Sequence, residues 1–473
     1  MYYRLTDQYC LRGWQHLTCA LVSREKRSMV QVLNQQEFSL LMLCDGVTDL
    51  TEVLKEKDNI TILQTFIEHK CIEKTDVPCP LKDYQNYHLY ENRYFSYVIW
   101  SITGKCNFRC RHCYMDAPDA KFGELSFAEI KRIIDGLADC GITEIHLTGG
   151  EPLVREDFWD IVDYLKQKGM NVGKIYTNGW LLTDKVLDKL EERNFRPDIS
   201  ISFDGIGQHD WMRGITGAEE KAIQALKLSC SRGNLVDVEM CLHKGNLSTL
   251  RSTINLLASL GVSAMKISKV VDTDCWKRHA DGNEISNQEY FDAVIDYIPH
   301  FFEDGMPMNV LFGSVIYLYK NSKSYNIVVE KACRDEKCLN QYLCHSARFS
   351  AYLTPEGRFL PCMALTSTEQ QQAFPLVKDY GVKKCLSDSY YMNFIGNRVK
   401  DLFDRNQECA KCEYRYKCWG GCRAQAMLAN QGDLYACDTE TCYIFKNGYP
   451  DKFRKAAKDA IDKYCSTEQE KTT

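Results

Sequence analysis

The sequence predicts an α/β protein: a partial (β/α)6 barrel with a small winged-helix-like domain before it and a cysteine-rich domain after it. The first observation is a regular alternation of strand-like and helix-like apolar segments between residues 95 and 310. The second is the grouping of cysteines within residues 106–113 and 333–442. Repeated strand–helix units form parallel sheets, and about six of them indicate a barrel that does not close.

Each barrel element has its own apolar pattern. Strands are predicted at residues 97–103, 144–148, 173–177, 198–203, 236–242 and 264–270. Helices are predicted near residues 127–140, 157–168, 184–193, 219–231, 247–260 and 287–302. We divide the chain into a front domain (1–85), a linker (86–94), the barrel (95–310), a cysteine-rich domain (311–450) and a C-terminal helix and tail (451–473).

The front domain carries short patterns of both kinds. Strands are predicted at residues 2–5, 17–22 and 29–33, and short helices at residues 38–44, 50–54 and 60–69. Three strands followed by three short helices is a winged-helix-like arrangement. Residues 83–93 are polar and rich in tyrosine, which is typical of a linker.

Composition excludes several classes of protein. The net charge of -5 provides no positive field for a polyanion, so nucleic acid is not an expected partner. No apolar run approaches the ~18 residues that cross a bilayer, and residues 1–10 have no signal-peptide pattern, so we expect a cytoplasmic protein without a membrane partner. In a reducing compartment, clusters drawn from 24 cysteines bind metal more often than they form disulfides.

The first cysteine cluster has the spacing CxxxCxxC, with Cys106, Cys110 and Cys113 directly after the first barrel strand. Three thiolates from one loop can bind three irons of a [4Fe–4S] cluster and leave the fourth iron open. A structural zinc site would need a fourth local ligand, and His112 cannot easily serve beside Cys113. The spacing therefore predicts a catalytic iron–sulfur cluster at the mouth of the barrel.

The loops after the next barrel strands carry a matching set of turns. Glycines allow a backbone to approach a ligand closely, and carboxylate, hydroxyl and guanidinium groups can bind amino, ribose and carboxylate groups. The candidate cofactor contacts are Gly149, Gly150, Glu151, Pro152, Asn178, Ser202, Asp204 and Arg213. Any one of these turns could be structural, but the whole set behind CxxxCxxC indicates a cofactor site.

With these motifs the sequence resembles the radical S-adenosylmethionine (SAM) superfamily over residues 95–305. CxxxCxxC is the cluster motif of that superfamily, and residues 149–152 match its methionine-binding GGEP turn. The resemblance implies that SAM chelates the open iron and is cleaved by one electron to a 5′-deoxyadenosyl radical, which abstracts hydrogen. It also implies that His112 lies against adenine and that Ser202, Asp204 and Arg213 contact the cofactor.

The cysteine-rich domain resembles the seven-cysteine SPASM pattern. Cys344 and Cys362 flank Gly357 at the SPASM spacing, and a CxxCx5Cx3C block followed by a single cysteine completes the pattern. The resemblance implies two auxiliary [4Fe–4S] clusters, and so three in all. One set of ligands is Cys338, Cys344, Cys362 and Cys422, and the other is Cys409, Cys412, Cys418 and Cys437.

Alternatives remain open in this region. Cys333 competes with Cys338, Cys442 could replace Cys437, and Cys385 is unassigned. Two zinc ribbons would also have paired cysteines. The barrel motif favours auxiliary clusters over zinc.

The front domain resembles the element that binds leader peptides in maturases of ribosomally made peptides, such as sactisynthase-like or streptide-type crosslinking enzymes. The expected partners are a precursor peptide with a leader and an electron donor such as flavodoxin or ferredoxin. We expect hydrogen abstraction followed by an intramolecular crosslink, a Cys thioether first and a carbon–carbon or ether link next. The alternatives are formylglycine formation in a sulfatase and peptide epimerisation. A non-enzymatic iron–sulfur carrier is disfavoured because it would not need residues 149–152.

Overall fold

The computed structural model describes residues 1–24, 30–115, 117, 123–333, 335–366 and 369–465. Within these ranges, every helix is too short or too polar to span a lipid bilayer.

The N-terminal part contains two small sheets and two helices. Its strands are β1 (Tyr2–Leu5), β2 (Tyr9–Gln15), β3 (Leu17–Ser23), β4 (Val30–Val32), β5 (Ile72–Thr75) and β6 (His88–Arg93). Its α-helices are α1 (Gln35–Leu43) and α2 (Lys57–Glu68). One sheet pairs β1 with β5, and the other has the order β4-β3-β2-β6. Helix α1 begins at Asn34, whose side chain accepts the amide of Glu37 in a reciprocal capping box.

Three features of this part differ from the sequence predictions. Strands β2 and β5 were not predicted, and a 3-10 turn at Val53–Lys55 replaces the helix predicted at 50–54. The predicted linker contains β6, which pairs in parallel with β2. Polar residues dominate this strand, yet its Tyr90 ring stacks on Trp14 with centroids 5.4 Å apart. One aromatic contact thus secures a strand that has little apolar pattern of its own.

The barrel strands follow one another in the sheet in chain order. They are β7 (Tyr97–Ser101), β8 (Glu144–Thr148), β9 (Asn171–Thr177), β10 (Asp198–Ser202), β11 (Val236–Leu242), β12 (Ala264–Lys269) and β13 (Asn309–Phe312). Neighbouring strands are parallel throughout. The α/β class and the parallel sheet predicted from the sequence are confirmed.

Helices lie between these strands. They are α3 (Phe127–Asp139), α4 (Phe158–Gln167), α5 (Asp184–Glu192), α6 (His209–Arg213), α7 (Ala218–Ser231), α8 (Leu250–Ser259), α9 (Asp274–His279) and α10 (Asn287–Glu303). Each of the six helices predicted from apolar periodicity matches one of them. Only the short helices α6 and α9 lacked a sequence signal, because five or six residues are too few to establish a period.

The cysteine-rich region extends the same sheet at both ends. Its strands are β14 (Ile316–Leu318), β15 (Tyr325–Asn326), β16 (Ser350–Leu353) and β17 (Phe359–Leu360). The sheet order is β15-β14-β13-β12-β11-β10-β9-β8-β7-β16-β17, with β16 parallel to β7. The two outermost strands do not pair with each other, so the sheet stays open.

The rest of this region is built from short helices and a longer final one. They are α11 (Val377–Tyr380), α12 (Val382–Leu386), α13 (Ser389–Gly396), α14 (Val399–Arg405), α15 (Gln407–Lys411), α16 (Arg415–Cys418), α17 (Arg423–Ala429), α18 (Thr439–Lys446) and α19 (Tyr449–Tyr464). Helix α19 contains the start of the predicted C-terminal helix and packs against α10. The predicted tail at 466–473 lies outside the described residues.

The barrel strands bury one face and keep the other polar. In β11, Val236, Val238, Met240 and Leu242 belong to the main apolar core, whereas Asp237, Glu239 and Cys241 alternate with them. Because successive side chains of a strand point to opposite faces, the polar residues face the lumen. The fold therefore supplies an apolar shell around a polar interior.

Candidate active site

The loop that follows β7 brings three predicted ligands to one cavity. Cys106, Cys110 and Cys113 all line a cavity of about 460 Å³. The Phe108 amide donates to Cys106 Sγ at 3.4 Å, and the Ala117 amide donates to Cys113 Sγ at 3.4 Å. Such donors stabilise thiolate ligands. The thiol loop (residues 106–113) thus holds its three sulfurs at the cavity wall.

The predicted GGEP turn is hydrogen-bonded to the backbone leading into the thiol loop. The Gly150 amide donates to the Thr103 carbonyl and the Glu151 amide to the Lys105 carbonyl, both at 2.9 Å. A side-chain carbon at Gly149 would lie 2.7 Å from the Thr103 carbonyl oxygen, closer than real contacts allow. Glycine at this position lets the ends of β7 and β8 meet, and Gly149 and Gly150 both line the cavity.

Glu151 and Pro152 take a different position from the one expected of cofactor contacts. Neither lines the cavity, and both are buried. The Glu151 carboxylate accepts the Thr177 hydroxyl at 2.9 Å and the Asn178 amide at 2.7 Å. Burial raises the pKa of Glu151 to about 7, against these hydrogen bonds. In this structure the carboxylate joins the end of β8 to the end of β9 rather than offering itself to an ammonium group.

Asn178 continues this connection to the thiol loop. Its side-chain amide donates to Asn107 Oδ1 at 2.8 Å, and the residue itself lines the cavity. Glu151 therefore positions Asn178, and Asn178 in turn holds the loop that carries the three thiols.

Arg213, at the end of α6, reaches the cavity because Asp204 orients it. The guanidinium Nε lies 2.6 Å from Asp204 Oδ2, and Nη1 contacts Cys110 Sγ at 3.8 Å. Burial opposes ionisation of Asp204, but Arg213 and His209 outweigh it and hold the pKa of that carboxyl well below its usual range. Asp204, a predicted cofactor contact, is fully buried behind Arg213 and does not line the cavity.

His112 and Ser202 are both in the cavity wall, as predicted. Burial lowers the pKa of His112 to about 3, and the positive charge of Arg213 adds to the effect. Its Nδ1 atom is buried and has no hydrogen-bond partner among the residues that the structure describes. A neutral imidazole ring here can pack against a flat heterocycle.

The lumen adds polar residues that the sequence reasoning missed. Four residues on neighbouring strands form a layer inside the lumen, and all of them line the cavity: Tyr176, Ser200, Glu239 and Lys266. Each lies two residues before another residue of the cavity wall, namely Asn178, Ser202, Cys241 and Ser268. Polar residues at every second position of otherwise apolar strands carry the signal that could have revealed them. Only the packing of the helices against the sheet shows that these polar residues face the lumen.

The cysteine-rich region closes the other side of the cavity. Met363 and Ala364 line it directly after Cys362, and Gln425 and Leu428 line it from α17. The predicted auxiliary region is therefore in contact with the same cavity as the thiol loop.

Three of the four thiols predicted for one auxiliary cluster come together. Burial, Cys422 and Cys344 raise the pKa of Cys362 to about 12, so these three (the first auxiliary thiol set) are neighbours. Cys338 is buried in a small apolar cluster that also contains Cys409, and burial and the neighbouring Cys333 raise its pKa. Its role as the fourth ligand of this set stays a prediction.

The second predicted set, Cys409, Cys412, Cys418 and Cys437, also comes together. The Cys409 and Cys437 sulfurs are 3.4 Å apart. Burial raises the pKa of Cys418 to about 11, with Cys412 contributing. Burial, Cys437 and Cys418 raise the pKa of Cys442 to about 12, so a fifth thiol is present beside this second auxiliary thiol set. Cys385 is buried in the main core, apart from both sets.

Comparison with known proteins defines the class of this enzyme. Residues 100–257 match the family model of the Radical SAM superfamily, and these residues include the thiol loop, the GGEP turn and Arg213. The chain therefore carries a radical SAM domain over these residues.

Two of the similar curated proteins have names that describe different activities. Over 366 residues it is 27% identical to the Fe-coproporphyrin III synthase of Methanosarcina barkeri (strain Fusaro / DSM 804), covering 74% of this chain and 88% of that protein. Over 349 residues it is 24% identical to the antilisterial bacteriocin subtilosin biosynthesis protein AlbA of Bacillus subtilis (strain 168), covering 71% and 68%.

A solved structure shares the fold over nearly the whole chain. Streptococcus suis SuiB bound to precursor peptide SuiA superposes with a TM-score of 0.65 at 12% identity, covering 93% of this chain and 99% of that one. At this identity the likeness shows the fold alone.

Proposed function

We propose that this protein is a peptide maturase that installs an intramolecular crosslink in a ribosomally made precursor peptide, with a Cys thioether as the first choice. The observation that carries the proposal is one cavity walled by the thiol loop, the cofactor turns, the polar lumen and the cysteine-rich region. When bound, the cluster and SAM supply a 5′-deoxyadenosyl radical that abstracts hydrogen from the substrate.

The donor set fits this cofactor. Cys106, Cys110 and Cys113 would hold three irons, since thiolates are the ligands that iron–sulfur clusters prefer. His112 would pack on adenine, and Arg213, held by Asp204, would bind the SAM carboxylate. Gly149, Gly150, Asn178 and Ser202 would form the remaining wall, while Glu151 would act through Asn178.

We further propose two auxiliary [4Fe–4S] clusters, and so about twelve irons per chain by counting cubes. The first auxiliary thiol set would hold one, with Cys338 or Cys333 as candidates for a fourth ligand. Four thiols from the second auxiliary thiol set and Cys442 would hold the other. The thiols of both sets are free of disulfides and lie close to one another, which supports metal ligation.

The front domain would bind the leader of the precursor peptide by strand addition. Strand β4 is the edge of its sheet, and no described strand pairs with the outer side of β4. Val32 on that strand is 67% exposed, and Ile60 and Ile67 of α2 are exposed apolar residues nearby in the domain. An extended peptide pairs with such an edge through its backbone.

The names of the relatives suggest two substrate classes, porphyrins and peptides. The fold likeness to SuiB leaves 7% of 473 residues, about 33, uncovered, so it includes most of the first 85 residues. A front domain of similar fold in a protein solved with its precursor peptide supports a peptide with a leader as the substrate here. An electron donor such as flavodoxin or ferredoxin would reduce the enzyme.

Mass spectrometry of the product tests this function. The probes are synthetic precursor peptides with a leader and a cysteine-containing core, incubated anaerobically with reconstituted enzyme, SAM and dithionite. We expect a loss of two hydrogens and one alkylatable thiol for each thioether. A two-hydrogen loss with all thiols alkylatable indicates a carbon–carbon or ether link.

Other outcomes favour the alternatives. An unchanged mass with deuterium gained from solvent means epimerisation. Formylglycine in a sulfatase peptide, with no crosslink in the leader-bearing peptide, makes this a sulfatase maturase. Conversion of a coproporphyrin and of no peptide would reject the peptide class.

A further inference from the structure

The cavity contains one acidic side chain whose role the proposed function leaves open. Of the described residues that line the cavity, only Glu239 carries a carboxylate. It lies in the middle of β11, on the lumen face, two positions before Cys241. A carboxylate at this depth lies below the cofactor turns, where a substrate group can reach it.

Several elements face Glu239 around the lumen. Burial raises the pKa of Tyr114 well above its usual value, and the charges of Tyr352, Cys113 and Glu239 add to the effect. Burial, then Glu239 and Asp237, likewise raise the pKa of Tyr176. Glu239 is thus close both to the residue that follows the thiol loop and to the lumen face of β9.

A comparison of two ion pairs in the lumen shows that the Glu239 carboxylate is free to contact a bound substrate. Lys174 and Asp237, one layer deeper, lie 2.6 Å apart with side chains 20% and 21% exposed. Glu239 and Lys266 lie 3.7 Å apart with side chains 42% and 47% exposed. Asp237 also accepts the Ser200 hydroxyl at 2.6 Å, so its oxygens are occupied. The deeper pair is structural, whereas the loose pair can open toward a bound group.

Crosslink formation needs such a group. Joining a carbon to a heteroatom breaks one C–H and one heteroatom–H bond and forms one new bond. The hydrogen atom from carbon goes to the deoxyadenosyl radical, the heteroatom's proton goes to a base, and the surplus electron goes to an oxidised auxiliary [4Fe–4S] cluster. Lys266, Lys269 and Arg213 are cations, so none of them suits the role of base. Cys106, Cys110 and Cys113 are proposed ligands, and His112 would pack on adenine. Burial raises the pKa of the remaining cavity thiol, Cys241, to about 12.

We propose that Glu239 is the catalytic base that accepts the proton of the substrate heteroatom during crosslink formation, with Lys266 as its resting partner. This inference rests on the proposed function. The carboxyl group so formed returns its proton to water through the open side of the lumen. The position of the base also sets which substrate atom can react, because a base must lie within hydrogen-bond reach of the proton it takes.

The test compares Glu239→Gln with Asp237→Asn, a control two positions earlier on the same strand. The probe is a synthetic precursor peptide with a leader and a cysteine-containing core, and the readout is crosslink formed per 5′-deoxyadenosine. We expect Glu239→Gln to lower this ratio about 100-fold, in the range typical of a lost general base, with 5′-deoxyadenosine formation within about threefold of wild type. Asp237→Asn should keep the wild-type ratio, and Glu239→Asp should recover part of it.

A second readout separates catalysis from folding. The thermal unfolding midpoints of the reconstituted Glu239→Gln and wild-type proteins should agree within about 2 °C, because an exposed pair contributes little to stability. The inference is overturned if Glu239→Gln keeps the wild-type ratio, if both variants lower it equally, or if Glu239→Gln loses 5′-deoxyadenosine and crosslink in equal measure. A peptide left unchanged by the wild-type enzyme would overturn the proposed function, and the inference with it.

Discussion

The thiol loop and the second auxiliary thiol set are both proposed cluster sites, but the protein supports them differently. The thiol loop is held by groups that are not ligands: the Arg111 amide donates to the Met212 carbonyl at 2.9 Å, and the Arg111 guanidinium contacts Asp281 at 2.7 Å. Behind the loop lies the main apolar core of the barrel. The contacts of Arg111 thus hold the loop without involving its three sulfurs.

Two thiols of the second auxiliary thiol set, Cys409 and Cys437, belong to a small core. Its fully buried apolar side chains are Leu343, Val399 and Leu402, and five partly buried ones pack against them: Leu339, Phe403, Tyr416, Trp419 and Tyr435. A core this small cannot offset the entropy of ordering the chain around it. Metal ligation would then supply folding energy there, as it does in small metal-bound domains. Cys344 and Cys362 of the first auxiliary thiol set pack on the main core, as does Cys418 of the second.

The largest expected effect comes from replacing the three sulfurs of the thiol loop. Cys106→Ala, Cys110→Ala and Cys113→Ala together should abolish SAM cleavage, measured as 5′-deoxyadenosine, and remove about four of about twelve irons. The barrel should stay folded, because other contacts hold the loop. Stoichiometric zinc with little iron in anaerobically prepared wild-type protein would contradict the cluster proposal.

The next largest effect distinguishes the role of the second auxiliary thiol set from that of the thiol loop. Cys412→Ala should lower crosslinked product at least about 10-fold, while SAM cleavage falls by no more than about threefold, because ligand losses at a metal site cost this much or more. Product and 5′-deoxyadenosine are measured in the same reaction. The control is Cys385→Ala, a buried cysteine outside both sets, which should leave the ratio of the two products unchanged. Equal ratios in the two variants would show that this set has no role in the chemistry.

Removing iron should lower the local stability around the second auxiliary thiol set more than that of the barrel. In chelated protein, amides of residues 399–437 should lose hydrogen-exchange protection, whereas those of β7–β12 should keep it. The expected loss is about 2 kcal/mol or more in local opening free energy, since ligation supplies folding energy. Hydrogen exchange with mass spectrometry measures both regions in one sample. Equal loss in the two regions would mean that the barrel also depends on metal.

The smallest effect concerns the front domain. Val32→Glu on the edge strand should raise KM for a leader-bearing peptide about 10-fold, equivalent to about 1.4 kcal/mol, and leave SAM cleavage without peptide unchanged. Val77→Glu is the control, because Val77 is equally exposed, at 67%, and outside the edge strand. Deleting residues 1–85 is a poorer test, since Trp14 donates to the Cys140 carbonyl of the barrel at 3.3 Å. An unchanged KM in Val32→Glu would exclude leader binding at this edge.

The sequence by itself determined the features that depend on local order along the chain. Apolar periodicity located six barrel strands and six helices, because each period reports one buried face. CxxxCxxC and the GGEP turn located the site, since both motifs place their residues in one loop. The strands of the small sheets were harder to predict from the sequence. Strand β6 has mostly polar residues, and its Tyr90 stacks on Trp14, which is distant in the chain.

Only the tertiary structure decided what depends on distant segments. It turned Glu151 away from the cavity toward Thr177 and Asn178, and it placed Asp204 behind Arg213. It buried Cys338 in the small apolar cluster that also contains Cys409. It also brought Glu239 into the lumen. Spacing fixes which residues can share a loop, but side-chain partners across strands are set by sheet register and packing, which a single chain segment does not encode.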